Sequence, residues 1–324
     1  MSFKQQRNAR LANYLRHGPV PVQDVCNIIS AYANGLEGTC THVMANHTAW
    51  VTALGVLPDG KIISTSSDFK VRVWADGACV KTLSGHTQYL TGLVVLPSGH
   101  VASCSRDKTV RVWDLTTGVC LQTLVGHVLD VNALAVLPNG DLVSASDDNT
   151  VRVWGDNPRV LEGPILHVLC LAVFPDGKIT AGAGDALVHV WDTDTESSVL
   201  VGHTLDVRAL AVLPNGRLAS SSDDQTVRVW EVATSACLFM LDHQYGVIHL
   251  VTLPDGTLAS SSFDNRLKIW DPADGTLISS FHHAFSITAM VAFPKRELAT
   301  GVCGDLAIGV HDMKNLQGKI CVWE

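Results

Sequence analysis

The chain has 324 residues, of which 47% are hydrophobic and 17% charged, and its mean hydropathy is +0.21. Such a composition can form a core and excludes wholesale disorder. The net charge of −8 is opposite in sign to that of proteins that depend on bulk affinity for nucleic acids. The longest apolar runs, such as 168–174, are far short of the roughly 20 residues that a membrane-spanning helix needs. We therefore expect a globular protein that makes no direct contact with nucleic acid or membrane.

The first 36 residues lie outside the repeats described below and predict a short helical extension. One helix is expected over 5–16 and a second over 22–34, which ends at Asn34-Gly35. The second helix carries one apolar stripe, which either packs on the rest of the chain or docks a partner. The stripe consists of Val25, Ile28, Ile29 and Tyr32. The first 17 residues contain no acid and indicate a solvated basic helix with Lys4, Arg7, Arg10 and Arg16.

From residue 37 the chain repeats itself. Tryptophan recurs every 37 to 41 residues, at Trp74, Trp113, Trp154, Trp191, Trp230 and Trp270. Each tryptophan ends a short alternating segment such as VRVW or LKIW, and alternation with β-branched residues predicts a strand. A turn such as LPDG precedes each of these strands, and another apolar strand precedes the turn. Each unit thus has about four short strands, too few to bury its own faces, so the units must pack on one another.

These units resemble those of the WD-repeat family, whose fold is the β-propeller. The resemblance covers about residues 37–324 and rests on two motifs. Gly-His pairs open units at 85–86, 126–127 and 202–203, and Trp-Asp or Trp-Glu pairs close units at 113–114, 191–192, 230–231 and 270–271. The resemblance implies an all-β fold, a seven-bladed propeller over 37–324, which follows the helical extension predicted over 1–36.

The two ends of the repeat region are expected to meet. Segment 38–47 aligns without a gap with 77–86 and 118–127, which are outer strands leading into the next unit. In the family, an N-terminal outer strand of this kind closes the ring by joining the last blade, which removes exposed sheet edges. The seventh unit is degraded, because Val310 or His311 stands where the other units have Trp. We prefer 319–324 as its third strand, with an insertion near 304–317; the alternative is 306–312.

Five units carry a His, a Ser, an Asp and a Trp at fixed spacing. A catalytic site is needed once, whereas this set occurs five times, so a structural role is favoured over a catalytic triad. The resemblance implies that each set forms one buried hydrogen-bond chain. The sets are His47/Ser64/Asp68/Trp74, His86/Ser103/Asp107/Trp113, His127/Ser144/Asp148/Trp154, His203/Ser220/Asp224/Trp230 and His243/Ser260/Asp264/Trp270. Unit four has Pro164 and Ala181 in place of the His and Ser, and unit seven lacks a clean Trp and Asp, so we expect blades four and seven to be the least rigid.

Motifs of enzyme and metal sites are missing from the sequence. There is no P-loop, no GxGxxG after a strand, no HExxH and no GxSxG, and the histidines do not have metal-ligand spacing. The nine cysteines include no CxxC pair, and four of them fall at similar points of the repeat. They are interpreted as small packing residues in a reducing compartment. We therefore expect no enzymatic activity, no cofactor and no metal.

The family resemblance also indicates where a partner would bind. In the family, the face at the entrance of the central channel is the usual docking surface, and three positions per blade point towards it. On blades three to five these positions form an acidic sector, Asp130, Asp147, Asp206 and Asp223, together with His167 and Arg208. On blades six, one and two they form an aromatic sector, Trp50, Tyr89 and Phe263, with Arg106 beside it. Exposed aromatic residues are typical interface anchors, and a basic peptide with an adjacent apolar residue would fit both sectors.

The sequence therefore predicts a non-enzymatic scaffold or adaptor of the cytoplasm or nucleus, which binds a protein or peptide on this face. The propeller itself is expected to be monomeric, as such or within a larger complex. The alternative is a substrate-receptor subunit of a ubiquitin ligase that docks through 20–34, a segment faintly similar to the first helix of an F-box. It departs from an F-box because the propeller begins directly after it.

Overall fold

The computed structural model describes residues 40–192, 196–282, 286–292, 297–302 and 307–312. The predicted helices of the extension lie outside this part of the chain, so they stay a prediction. The described part contains 28 strands and one short 3₁₀ helix, Val232–Thr234. None of its helical segments has the length and apolar character needed to cross a membrane. The all-β propeller expected from the sequence is confirmed.

The strands form seven four-stranded antiparallel sheets, which we number as blades in chain order. Blade one comprises β2 (Val51–Val56), β3 (Ile62–Ser66), β4 (Lys70–Ala75) and β5 (Ala78–Ser84). Blade two comprises β6 (Leu90–Val95), β7 (Val101–Ser105), β8 (Thr109–Trp113) and β9 (Cys120–Val125). Blade three comprises β10 (Val131–Val136), β11 (Leu142–Ser146), β12 (Val151–Trp154) and β13 (Arg159–Leu161).

The remaining blades follow the same order, except that the last one takes its outer strand from the start of the chain. Blade four comprises β14 (Val168–Val173), β15 (Ile179–Ala183), β16 (Val188–Trp191) and β17 (Glu196–Leu200). Blade five comprises β18 (Val207–Val212), β19 (Leu218–Ser222), β20 (Thr226–Glu231) and β21 (Ala236–Asp242). Blade six comprises β22 (Val247–Thr252), β23 (Leu258–Ser262), β24 (Arg266–Trp270) and β25 (Leu277–His282). Blade seven comprises β26 (Ile287–Ala292), β27 (Glu297–Val302), β28 (Ala307–Asp312) and β1 (Cys40–Ala45).

The blades form a closed ring. The first strand of each blade contacts the first strand of the next, and β26 of blade seven contacts β2 of blade one. In blade seven, β1 pairs antiparallel with β28, so that Cys40 lies beside His311 and Ala45 beside Ala307. The N-terminal strand therefore joins the last sheet as the sequence predicted, and the last sheet is completed by residues from both ends of the repeat region.

The preferred assignment of the third strand in blade seven is wrong. That strand is β28 (Ala307–Asp312), which pairs with β27 from Glu297 opposite Asp312 to Gly301 opposite Ile308. Only residues 303–306 separate the two strands, and a short connection loses less entropy on closure than the long insertion required for 319–324. The segment KICVWE resembles the Trp-ending strands of the other blades, but it lies outside the described residues.

Tryptophan fills the space between neighbouring blades. In blades one to six the ring of the third-strand tryptophan packs against apolar residues of the preceding blade. Trp113, for example, joins Ile63 and Val71 of blade one in a single buried cluster. The second strand of each of these blades is buried along its whole length, as in Ile62–Ser66. The core is therefore a series of layers between blades, and no blade buries its apolar faces alone.

Because neighbouring strands run in opposite directions, the loops of each blade alternate between the two ends of the ring. The entrance face carries the loops from each outer strand to the next inner strand and the turns between second and third strands. The exit face carries the loops between first and second strands and between third and fourth strands. At the exit face, glycines such as Gly60 (φ +85°) allow the tight LPDG-type turns.

Candidate functional site

Four blades contain the same hydrogen-bond chain, which runs from the entrance face into the core. In blade one, Trp74 Nε1–H donates to Ser64 Oγ at 2.7 Å, and Ser64 Oγ lies 2.7 Å from His47 Nε2. His47 Nδ1 lies 2.9 Å from Asp68 Oδ2, which also accepts the Thr48 backbone N–H. The sets that begin at His86, His127 and His203 have corresponding distances of 2.7–2.8 Å. One carboxylate thus ties the loop before the inner strand to the turn after the second strand.

The chemistry of the chain fixes its protons. A carboxylate only accepts hydrogen bonds, so the histidine Nδ1 carries the proton and Nε2 accepts from the serine hydroxyl. Burial lowers the pKa of His127, although the hydrogen bond to Asp148 opposes this shift. Burial alone would raise the pKa of Asp148, but hydrogen bonds from Thr150, His127 and the Val128 N–H lower it to about 2. The pair is therefore a neutral imidazole against a carboxylate.

These sets cannot act as nucleophilic triads. The serines of the four chains, Ser64, Ser103, Ser144 and Ser220, have no solvent-accessible surface. Each serine oxygen already accepts the indole N–H of its tryptophan. A nucleophile must reach a substrate, and a hydroxyl sealed between an indole and an imidazole cannot.

Blade six has a modified chain. Trp270 and His243 both bond to Ser260 at 2.8 Å, but His243 Nδ1 contacts Ser262 Oγ at 3.2 Å instead of Asp264. Ser262 in turn donates to Asp264. In blades one, two, three and five, the matching serine donates to a backbone carbonyl of the entrance loop, as Ser66 does to Ala49 O at 2.9 Å. Among the described residues, the blade-six loop 243–246 has no such bond.

Blade four replaces the missing members with a residue that the sequence analysis overlooked. His189, in the strand VHVW, places Nε2 3.0 Å from Asp185 Oδ2, and its ring stacks on Trp191 with centroids 6.0 Å apart. The Trp191 indole donates to the Glu162 carbonyl at 3.3 Å. His189 occupies the position of Arg72 in blade one, whose guanidinium donates to Asp68 at 2.6 Å. The sequence contains a signal for this role. At the second position of the six VRVW-type segments that end in Trp, His189 replaces the Arg or Lys of the other five.

The predicted binding positions come together on the entrance face. In six blades the backbone N–H of the third position donates to the carbonyl of the first position, at 2.9–3.1 Å. These pairs are Ser67 with Trp50, Arg106 with Tyr89, Asp147 with Asp130, Gly184 with His167, Asp223 with Asp206, and Phe263 with Gly246. Each pair lies where an inner strand begins, close to the axis of the ring.

The acidic sector is largely compensated by its own neighbours. Arg208 lies 2.5 Å from Asp223 and 3.3 Å from Asp206, and His167 Nε2 lies 3.5 Å from Asp206. Arg106 lies 3.6 Å from Asp130. Asn132 donates to Asp147 at 2.6 Å. The four carboxylates are therefore not a free anionic surface, and a cation from a partner would compete with groups already in place.

The aromatic sector is only partly continuous. Trp50, Tyr89 and Phe263 are 47–58% exposed. Tyr89 contacts Phe69, with ring centroids 5.5 Å apart, and the Arg106 guanidinium lies 5.6 Å from the Tyr89 ring centre. Phe69 is a member that the sequence analysis missed; it occupies a turn position with φ +67°, where other blades have Lys, Asn, Gln or Ala. Within the described residues, no ring contact joins Trp50 or Phe263 to this pair.

A second group that the sequence analysis missed lies on the entrance loops of blades three to six. On blades three to six the second residue after the Gly-His position is large and apolar, and on blades three and four the first residue is apolar too. These side chains are 46–75% exposed. We call this group the apolar rim: Val128, Leu129, Ile165, Leu166, Leu205 and Tyr245. The fold does not require these side chains, because blades one and two have Ala49 and Gln88 at the second of these positions.

Metal chemistry requires a cluster of metal-ligating side chains, and thiol chemistry requires a reactive cysteine. No group of three or more metal-ligating side chains comes together among the described residues. Five cysteines are free thiols, Cys79, Cys104, Cys120, Cys170 and Cys237. Burial raises the pKa of both Cys104 and Cys170 to about 12. A thiol with so high a pKa is a poor nucleophile at neutral pH.

A family model described as "WD domain, G-beta repeat" matches the chain at 38–75, 77–114, 118–155, 156–192, 195–231 and 235–271. These segments cover well over half of the chain, so the chain belongs to the WD40 repeat family. Propellers of this family are generally non-enzymatic scaffolds for protein interactions. No curated protein matches the chain.

The number of matched repeats differs from the number of sheets, and the topology explains why. Each matched segment contains the outer strand of one sheet and the first three strands of the next; 77–114, for example, contains β5 to β8. Six such segments leave β25 to β28 unmatched. The family model thus recognises six repeats, whereas the described strands form seven sheets.

Removing one serine tests the hydrogen-bond chain. Ser220→Ala should lower the free energy of unfolding by about 1–3 kcal/mol, because His203 Nε2 and the Trp230 indole both lose a buried partner. Urea denaturation measures the change. Ser98→Ala, in an exposed exit-face turn, is the control and should change it by less than about 0.5 kcal/mol. Equal effects would contradict a role for the buried chain.

His189 should stabilise blade four. His189→Ala should cost about 1–3 kcal/mol, because the buried Asp185 carboxylate loses its side-chain donor. His189→Arg should retain most of the stability, since Arg72 reaches the equivalent Asp68 in blade one. Urea denaturation combined with amide exchange of blade four distinguishes the variants. Equal losses in both would show that the bond to Asp185 is not what stabilises this blade.

Mild acid should destabilise the fold through the buried histidines. Burial lowers the pKa of His47, His127, His203 and, to about 3, His243. Their stabilising contribution is therefore fully present above the unfolded pKa of about 6.5 and is lost as the pH falls towards the folded values. Between its unfolded and its folded pKa, each histidine adds a slope of at most about 1.4 kcal/mol per pH unit. Urea denaturation from pH 8 to 5 should show a plateau and then a steep decline; constant stability down to pH 5 would refute this.

Proposed function

We propose that this protein is a non-enzymatic interaction scaffold that docks a protein or peptide on the entrance face, across the apolar rim and the adjoining charged residues. The apolar rim carries the proposal. Its side chains form an arc over four neighbouring blades and are exposed, whereas the equivalent positions of blades one and two are small or polar. Contiguous exposed apolar groups bordered by polar residues are typical of protein interfaces.

The fold uses only the backbone of the rim positions, which supports this proposal. Leu205 O accepts a hydrogen bond from Ser222 Oγ at 3.0 Å, and Ala49 O accepts the equivalent bond in blade one at 2.9 Å. The same loop geometry is thus built with leucine or with alanine. A large apolar side chain in water gains nothing for the fold, and burial against a partner would recover about 25 cal/mol for each Å² covered.

The charges beside the rim favour a partner whose anchor is apolar rather than strongly basic. Arg208 and Arg106 already neutralise much of the acidic sector. Four carboxylates against two guanidinium groups leave a modest negative excess, which suits one or two basic residues flanking an apolar segment. The sequence predicted a basic peptide with an adjacent apolar residue; the ion pairs on this face favour a peptide with fewer basic residues. The Trp50, Phe69 and Tyr89 side chains extend the surface on the other side of the ring.

The ubiquitin-ligase alternative depends on residues 20–34, which lie outside the described residues, and no described contact favours it. It stays a prediction, as does the compartment, cytoplasm or nucleus.

Charge placed in the rim should abolish partner binding without unfolding the ring. In a full-length tagged protein, Leu129→Asp together with Leu205→Asp should lower the recovery of at least one specific co-purifying protein tenfold or more, measured by quantitative mass spectrometry. Loss of an interface anchor costs about 2 kcal/mol or more, which corresponds to a factor of about 30.

The control places the same charges on the outer strands. Val80→Asp with Leu121→Asp alters side chains of similar exposure, 54% and 50%, away from the entrance face. Binding should survive in this variant, and direct titration of the identified partner should reproduce the difference. Retention of every partner by the rim variant, or equal loss in both variants, would refute the proposed docking face.

A further inference from the structure

The exit face carries a large excess of negative charge. Its described loops contain ten carboxylates, Asp59, Asp76, Asp114, Asp141, Asp156, Asp176, Asp192, Asp255, Asp271 and Asp274. Their basic residues are Lys61, Lys178 and Arg217. Among the described loop residues the excess of carboxylates is therefore seven. The described part of the exit face is acidic.

Turn formation alone does not account for this excess. Asp59 caps the turn that follows it, with the Lys61 N–H 3.1 Å from its Oδ1, but Asn215 makes the equivalent bond to Arg217 in blade five at 3.1 Å without a charge. Lys61 neutralises Asp59 at 2.7 Å. Asp76, Asp271 and Asp274, by contrast, form no ion pair with any described residue, and Asp76 and Asp274 are exposed.

The chain enters the ring at this same face. Cys40, the first residue of β1, lies beside His311, and Asp312 lies opposite Glu297, which follows the exit-face loop of blade seven. The described chain thus begins at the exit face, on blade seven, which lies between blades six and one in the ring. Those two blades contribute Asp271, Asp274 and Asp76.

The sequence that precedes Cys40 has the complementary charge. It carries Lys4, Arg7, Arg10 and Arg16, and the first acid along the chain is Asp24. The connector from Arg16 to Cys40 has 24 residue steps and can span at most about 80 Å, so reach does not restrict docking. A tethered segment acts at an effective concentration of the order of millimolar, at which several individually weak surface ion pairs suffice.

We propose that the basic segment 4–16 docks on the exit face of its own ring, against the carboxylates of blades six and one. The occupant is this segment of the same chain, and the attraction is electrostatic. The contact does not involve the entrance face, so it can be tested independently of the proposed function. The apolar stripe of 25–32 takes no part in the proposed contact.

Zero-length cross-linking of the full-length protein tests the contact. A carbodiimide joins an amine to a carboxylate only when the two touch, and Lys4 is the sole lysine of the first 36 residues. At low ionic strength and about 1 µM protein, we expect Lys4 to be linked to Asp76, Asp271 or Asp274 within one chain, with at least a tenfold decrease in 0.5 M NaCl because salt screens such pairs. Lys4→Arg keeps the charge, removes the amine and should eliminate these products.

Two cross-linking outcomes would overturn the proposal. One is linkage of Lys4 chiefly to entrance-face carboxylates such as Glu162 and Asp242, or to none. The other is linkage between two chains, which would assign the exit face to a second copy.

Charge reversal provides a second, independent measurement. In the variant Asp76→Lys with Asp274→Lys, trypsin should cleave after Arg7 and Arg10 severalfold faster than in the unaltered protein. The matched control, Glu162→Lys with Asp242→Lys, changes the net charge equally at the entrance face and should leave cleavage rates unchanged. Equal acceleration in both variants, or none in the first, would contradict docking at the exit face. Circular dichroism and thermal unfolding verify that both variants are folded.

Discussion

The indole of each blade tryptophan is held in two directions at once, and the architecture depends on this double restraint. Its N–H is bonded to a buried serine of its own blade, or in blade four to the Glu162 carbonyl, while its ring packs on the apolar residues of the blade before it. In blades one, two, three and five the polar chain continues through histidine to aspartate and ends in backbone bonds to the entrance loops. The same set of side chains therefore spaces the blades and fixes the loops that carry the apolar rim. Stability and the shape of the candidate binding face share one origin.

Most of the fold could be predicted because the physical requirements recur. A buried tryptophan, a tight glycine turn and an alternating strand are needed in every blade, and recurrence every 37 to 41 residues made them visible. The third strand of blade seven could not be predicted, because Val310 and His311 remove the tryptophan that marks it elsewhere. The segment KICVWE has that tryptophan, but β28 is the strand that pairs with β27, and it follows β27 after a much shorter loop. The entropy cost of closing a loop cannot be read from a local sequence motif.

The candidate site was predicted less completely, for a different reason. First and third positions of each blade follow from strand register, so their meeting at the ring axis could be anticipated. The charge compensation of the acidic sector could not be predicted, because the contact of Arg208 with both Asp206 and Asp223 depends on side-chain direction across two loops. His189 could not be predicted from the missing His and Ser of blade four, because it bonds to Asp185 from a different strand position. The apolar rim occupies positions one and two after the Gly-His pair, which vary too much to stand out as a motif.

The closure of the ring by β1 also sets an order of events during synthesis. β1 is synthesised before the other described strands, yet its partner β28 begins at Ala307, more than 260 residues later. At roughly 5–20 residues per second, β1 has no native partner for about 15–50 s. Blades one to six pair strands that are neighbours in the chain and can form during this interval. Among the described sheets, blade seven is the one whose completion must wait until β28 has been synthesised, so β1 has no native partner while blades one to six are made.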